Sequence, residues 1–325
     1  MKNTKIFRLQ LIVICILFSN LSASFVKLNI NQTNSTLQSK EARTFAIVYP
    51  VLHPFFESIT RGAEEKAKLA NCKLIVKGPD IDNFQVKQQI EILNKLIEMK
   101  VDGIAIGPTD STLLAPIINK AINNGIKVIC FDTDSPFSKR ISYIGTNNIE
   151  AGKHMGEVLA KLLNKKGKVI CSTGISSQLN LRQRILGVKL AIQHYPEMKI
   201  LEVESSLGSP ITAVKKIEAM ILKHPDFDAL IGMDSLSGPA AITIWKAMGL
   251  KKILLTFDNL PDILDGIKYG QITASISQNQ YRWGELIIQY LNEACDGKKI
   301  PKLIYTKTTE INKYNINSVD TSLAQ

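Results

Sequence analysis

From Thr44 onward, short apolar runs alternate with longer amphipathic ones. The short runs read as strands: "FAIVYP", "KLIV", "DGIAIG", "KVICF", "SYIG", "KVICS", "KILEV", "DALIG", "KILLTF", "ITASIS" and "LIYTK". The amphipathic runs read as helices over residues 55–70, 84–99, 111–123, 148–164, 179–194, 210–223, 237–248 and 280–295. Within 84–99, for example, Val86, Ile90, Leu93 and Ile97 recur at helical spacing. Strand–helix alternation of this kind builds parallel sheets with helices on both faces. So many strands predict an α/β protein with two doubly wound parallel sheets rather than one.

The N-terminus departs from this pattern. Lys2, Lys5 and Arg8 precede the apolar "LIVICILF", and "SAS" follows at Ser22–Ser24. The apolar stretch is shorter than the roughly 20 residues that span a bilayer, so residues 1–24 read as a cleaved signal peptide. Residues 25–43 are polar and aperiodic and read as a flexible leader. Export places the protein in the periplasm.

The chain has 325 residues, 45% hydrophobic, and a net charge of +11. The lysines are scattered through helical segments, as in "GAEEKAKLA", so they read as a solvated surface and no nucleic acid partner is expected. The five cysteines and four histidines show no metal-ligand spacing. Neither a metal nor a cofactor is expected. Cys130 and Cys171 lie within strand patterns and read as buried thiols.

Open parallel sheets bind ligands beyond the carboxyl ends of their strands. The residues at those positions are His53, Phe55 and Phe56; Thr109 and Asp110; Asp132, Thr133 and Asp134; Arg182 entering the helix after "KVICS"; Asp234; Asp258 and Asn259; and Gln278. Aromatic faces, carboxylates, amides and one arginine suit a sugar or polyol. Its C–H face packs on rings, and its hydroxyls both donate and accept. Each residue also has a plain structural reading. Phe56 can be core, Asp110, Asp134 and Asn259 can cap helices, and Arg182 can face solvent, as Arg184 is expected to do.

Several segments together resemble the periplasmic sugar-binding proteins of the ribose-binding type, which share the fold of LacI-type regulator cores. The resemblance spans Thr44 to Asn317. It is carried by "HPFFESITRGAEEKA", "DGIAIGPTDSTLLAPIINKAINNGIKVICFDTD", "YIGTNNIEAGKHMGEVLAK", "QRILGVKLAI", "HPDFDALIGMDSLSGPAAITI", "LLTFDNLPDILDGIKYGQITASISQNQYRWG" and "DGKKIP". It implies a type I periplasmic binding protein, with two lobes joined by a three-segment hinge. The implied N-terminal lobe is 44–145 plus 279–307, the C-terminal lobe 146–278 plus 308–318, and the tail 319–325. Ligand contacts carry over to His53, Phe55, Phe56, Asp132, Arg182, Asp234, Asp258 and Gln278. Thr133 stands where ribose-type members have arginine, and Asp234 where asparagine is usual. "ESSLGSP" lacks a further aromatic. Three aspartates against one arginine predict a ligand that brings hydroxyl donors or positive charge: a sugar, polyol or amino sugar.

The expected function is solute capture for an ABC-type importer, by a monomer partnered with the membrane permease. The alternative is a periplasmic sensory receptor that presents its ligand-bound form to a membrane kinase or chemoreceptor. A transcription regulator is disfavoured by the signal sequence. An enzyme is disfavoured because no catalytic triad order, phosphate loop or paired-metal spacing is present.

Overall fold

The computed structural model of the protein describes residues 42–80 and 85–318. The expected signal peptide (1–24), nearly all of the leader (25–43) and the tail (319–325) lie outside the described residues. Each lobe is an open six-stranded sheet. The first uses β1 (Thr44–Val48), β2 (Lys73–Lys77), β3 (Gly103–Ile106), β4 (Lys127–Phe131), β5 (Ser142–Thr146) and β11 (Leu303–Thr306). Its order is β11-β5-β4-β3-β1-β2, parallel throughout.

The second sheet uses β6 (Gly167–Thr173), β7 (Met198–Ser205), β8 (Ala229–Gly232), β9 (Ile253–Phe257), β10 (Ala274–Ser277) and β12 (Thr309–Asn312). Its order, β12-β10-β9-β8-β6-β7, repeats the plan of the first, except that edge strand β12 runs antiparallel to β10. β12 was not foreseen from the sequence. "TEIN" is short, polar and mostly unburied, so it carries no apolar run to read.

Helices α1 (Glu57–Leu69), α2 (Gln85–Glu98), α3 (Ala115–Asn123) and α9 (Gln280–Cys295) cover the first sheet. The second is covered by α4 (Asn148–Leu162), α5 (Leu179–Ile192), α6 (Pro210–Lys223), α7 (Ser237–Met248) and α8 (Pro261–Lys268). The central strands are buried on both faces, which is why they read as continuous apolar runs. Each lobe therefore has two cores, one on either side of its sheet.

The chain passes between lobes after β5, after β10 and after β11. Helix α9 follows the second passage. It returns Trp283, Leu286 and Ile287 to the core that holds Phe45 and Ile47 of β1.

Packing in the second lobe fixes one helix face with unusual force. A Cβ on Gly152 of α4 would lie 2.1 Å from the Arg184 carbonyl oxygen of α5. A Cβ on Gly187 would lie 2.2 Å from the Ile149 carbonyl oxygen. The two backbones approach so closely that only glycine fits at either position. Residues near this contact have little freedom to rotate about the helix axis, and Arg184 is one of them.

Candidate functional site

A cleft between the lobes holds about 590 Å³ of space, part of it open to solvent. The first lobe contributes His53, Phe55, Phe56 and Asp132. The second contributes Asn180, Arg184, Asp234 and Asp258, and Gln278 enters from the second passage.

Phe55 and Phe56 sit in a short 3-10 turn, Pro54–Phe56, capped by His53, whose Nδ1 accepts from the Phe55 amide at 3.2 Å. Both rings are 6% exposed or less, and they meet edge to face at 4.9 Å. Phe56 also stacks on Tyr49 at 4.5 Å, and Phe55 meets Trp283 at 6.3 Å. Core and cleft wall are thus the same pair of rings. Burial lowers the pKa of His53, which favours the neutral imidazole.

Asp132 and Asp258 arise from one device used twice. Each follows a phenylalanine at the end of a central strand, in "FD" after β4 and after β9. Each adopts the left-handed region, with φ of 59° and 76°. Asp tolerates that region better than most side chains. The Asp132 amide donates to the Ile144 carbonyl at 3.2 Å, and the Asp258 amide to the Ile276 carbonyl at 2.9 Å. Their own carbonyls are held by the Tyr143 hydroxyl at 2.8 Å and the Ser275 hydroxyl at 2.6 Å. The strained turn directs both carboxylates to the cleft.

One oxygen of each acid is committed to the protein. Asp132 Oδ1 accepts from Asn180 Nδ2 at 3.3 Å, and Asp258 Oδ1 from Gln278 Nε2 at 2.8 Å. Asp234 Oδ1 accepts from the amide and hydroxyl of Ser237, the first residue of α7. Burial pushes all three acids upward: Asp132 to about 6, Asp258 to about 7, and Asp234 in the same direction. Arg184 opposes the rise in every case without cancelling it.

Arg184 is 2% exposed and held on three sides. Nε donates to Asn148 Oδ1 at 2.9 Å, Nη1 to the Met233 carbonyl at 2.9 Å and Nη2 to Gln278 Oε1 at 2.8 Å. Its guanidinium lies 4.3 Å from the centre of the Phe257 ring. Five N–H donors less three leave two for a ligand. Gln278 Oε1 also accepts from Thr146 Oγ1 at 2.7 Å, so residues at two of the three interlobe passages, Thr146 and Gln278, meet at this arginine.

Two expectations are corrected here. Arg182 is exposed on α5, whereas Arg184 is buried in the cleft. The glycine contact sets the phase: Asn180, Arg184 and Gly187 share the inward face, and Arg182 is about 200° around the helix from Arg184. Thr133 does not line the cleft. It is fully buried behind Asp132, and its Oγ1 meets the Asn180 amide at 3.5 Å. Of the residues with a plainer reading, Asp110 holds the turn that leads into α3, accepting from the amides of Thr112 and Leu113 at 2.9 Å, while the N-cap of that helix is Leu114. Asp134 instead forms an ion pair with Arg140. Asn180 and Gln178, also at the cleft, were not singled out from the sequence. The inward spacing of Asn180, Arg184 and Gly187 was the available signal.

A family model described as a periplasmic binding protein domain matches residues 45–299. The chain belongs to the periplasmic binding protein family. An ABC transporter solute binding protein from Burkholderia graminis, solved in complex with D-arabinose, is similar to it at 33% identity and a TM-score of 0.81. That match covers 86% of this chain and 99% of the other. GanP, a glucose-galactose binding protein from Geobacillus stearothermophilus, is 28% identical with the same TM-score, over 85% of this chain and 99% of its own. The ribose import binding protein of Bacillus subtilis is 25% identical over 78% of this chain and 81% of its length. This periplasmic binding protein thus shares its two-lobed fold with sugar-binding components of ABC importers.

Proposed function

We propose that the protein captures a neutral monosaccharide in the interlobe cleft and delivers it to an ABC-type importer, without chemical turnover. One observation carries the reading. Arg184 keeps two free donors between Asp132 and Asp258, whose second carboxylate oxygens have no protein partner among the described residues. Each acid can therefore accept from a ligand hydroxyl while the arginine donates to a ring or hydroxyl oxygen. The Phe55–Phe56 wall offers rings to an apolar C–H face. The named ligands of the relatives, D-arabinose, ribose, glucose and galactose, are all of this chemical class.

Closure of the lobes follows from the same contacts. A ligand held by Asp132 on one lobe and by Arg184 and Asp258 on the other gains most when both are close. A membrane kinase or chemoreceptor could read the closed form as readily as a permease. Capture is common to both roles.

A thermal-shift screen against neutral pentoses and hexoses, with amino acids, polyamines and sugar acids alongside, tests the proposal. A ligand at one hundred times its Kd stabilises by about 2.7 kcal/mol. At least one neutral aldose should raise Tm clearly. A response confined to amino acids, polyamines or sugar acids would refute it.

A further inference from the structure

The cleft does not end at the polar chamber. A second space of about 950 Å³ opens beside it, and His53, Ser235 and Leu236 line both. The first turns of three helices, α6, α7 and α8, meet there. Convergent helix N-termini ordinarily make an anion cradle, because their first amides lack helical partners. Here a proline stands in each first turn: Pro210, Pro239 and Pro261. Each removes one first-turn N–H from the helix it opens, and Pro54 lines the space from the other lobe. Val214, Leu236, Ala240 and Leu260 add further carbon, while His53, Ser235, Thr243 and the carboxylate of Asp262 are the polar groups on the lining.

The sequence explains why the chamber communicates with this groove. The segment after β7, where ribose-type relatives are expected to carry an aromatic, is "LGSP". Gly208, at φ 82°, lines the chamber, and Pro210 two residues on lines the groove. No large side chain from this segment stands between them.

We propose that the site accepts glycosides, with the sugar in the polar chamber and an uncharged apolar aglycone in the proline-lined groove. This rests on the sugar-binding reading above. The anomeric position is the one at which sugars form stable acetals, so it is the natural point for such a substituent. Fewer first-turn donors and the carboxylate of Asp262 on the lining argue against a phosphate there, and the carbon lining favours an uncharged alkyl or aryl group.

The test uses calorimetry at pH 8 with D-arabinose, D-ribose, D-glucose and D-galactose, each free and as its methyl and phenyl glycosides. For whichever sugar binds, the phenyl glycoside should bind at least threefold tighter than the methyl glycoside. Thr243→Trp, at an exposed groove position, should abolish that gain and leave the free sugar within twofold of the native protein. Val214→Trp plugs the same groove from α6 and should do likewise. A free sugar that binds while its phenyl glycoside gains less than threefold overturns the inference, as does a gain that survives both substitutions. If no sugar binds in any form, the sugar-binding reading itself fails.

Discussion

Replacing Asp258 by Asn should stabilise the protein at alkaline pH. The carboxyl is 2% exposed, and its pKa is pushed up from 3.8 to about 7. Desolvation is the chief cause. Arg184 and the Gln278 hydrogen bond oppose it, and the charges of Asp132 and Asp234 add to it. Between those two pKa values the folded protein holds a proton that the unfolded chain has released. The stabilisation is therefore complete below about pH 4 and is lost as pH rises through about 7. A shift of about three units corresponds to about 4 kcal/mol, an upper figure for the cost of ionised Asp258 at pH 8. Asparagine keeps the shape, keeps an oxygen for Gln278 Nε2, and tolerates the left-handed backbone. Urea unfolding of Asp258→Asn and native protein at pH 4 and pH 8 measures the difference. The variant should gain up to about 4 kcal/mol at pH 8, by relief of the burial cost, and nearly nothing at pH 4. Equal or lower stability at pH 8 would show that the buried acid is well compensated without a ligand.

Other outcomes follow from the same geometry. Sugar affinity should fall about tenfold from pH 8 to pH 6 as Asp258 protonates, in calorimetric titrations across that range; a flat profile would mean that the ligand does not need the ionised acid. At pH 8 a sugar phosphate or sugar acid should lose direct competition to its neutral parent by about a hundredfold, since Asp132 and Asp258 are then both ionised and buried. Gly152→Ala should lower Tm and weaken sugar binding together, because the new Cβ meets the Arg184 carbonyl and drives α5 away from α4; unchanged affinity would separate the helix contact from the site.

The layered fold was legible because buried parallel strands must be apolar and their covering helices amphipathic. β12 escaped because an antiparallel edge strand with polar residues has neither signature. The strand-end acids were legible as a class, since topology alone puts Asp132 beyond the carboxyl end of a strand in one sheet and Asp234 and Asp258 beyond those of the other. Choosing between Arg182 and Arg184 was a question of helix phase, and a phase error of two residues turns a side chain to the opposite face. The overall periodicity of α5 was too weak to set that phase. Arg184 and Asn180 are polar residues on the buried face, which blurs the apolar stripe. Gly187 and Gly152 mark the true contact, but their pairing spans two helices and shows only when these are packed.

A pinned Arg184 should organise the cleft for a neutral sugar. Calorimetry on native protein, Arg184→Gln and Arg182→Ala, with the aldose found by the thermal screen, tests it most directly. A hydrogen bond to a charged group contributes about 1.5–3 kcal/mol, and Arg184 has two donors left to give, so Arg184→Gln should lose at least a hundredfold in affinity while its circular dichroism stays native-like. Arg182→Ala should bind within twofold of the native protein. Full affinity in Arg184→Gln, or its loss in Arg182→Ala, would mean that Arg184 is not the residue that holds the sugar.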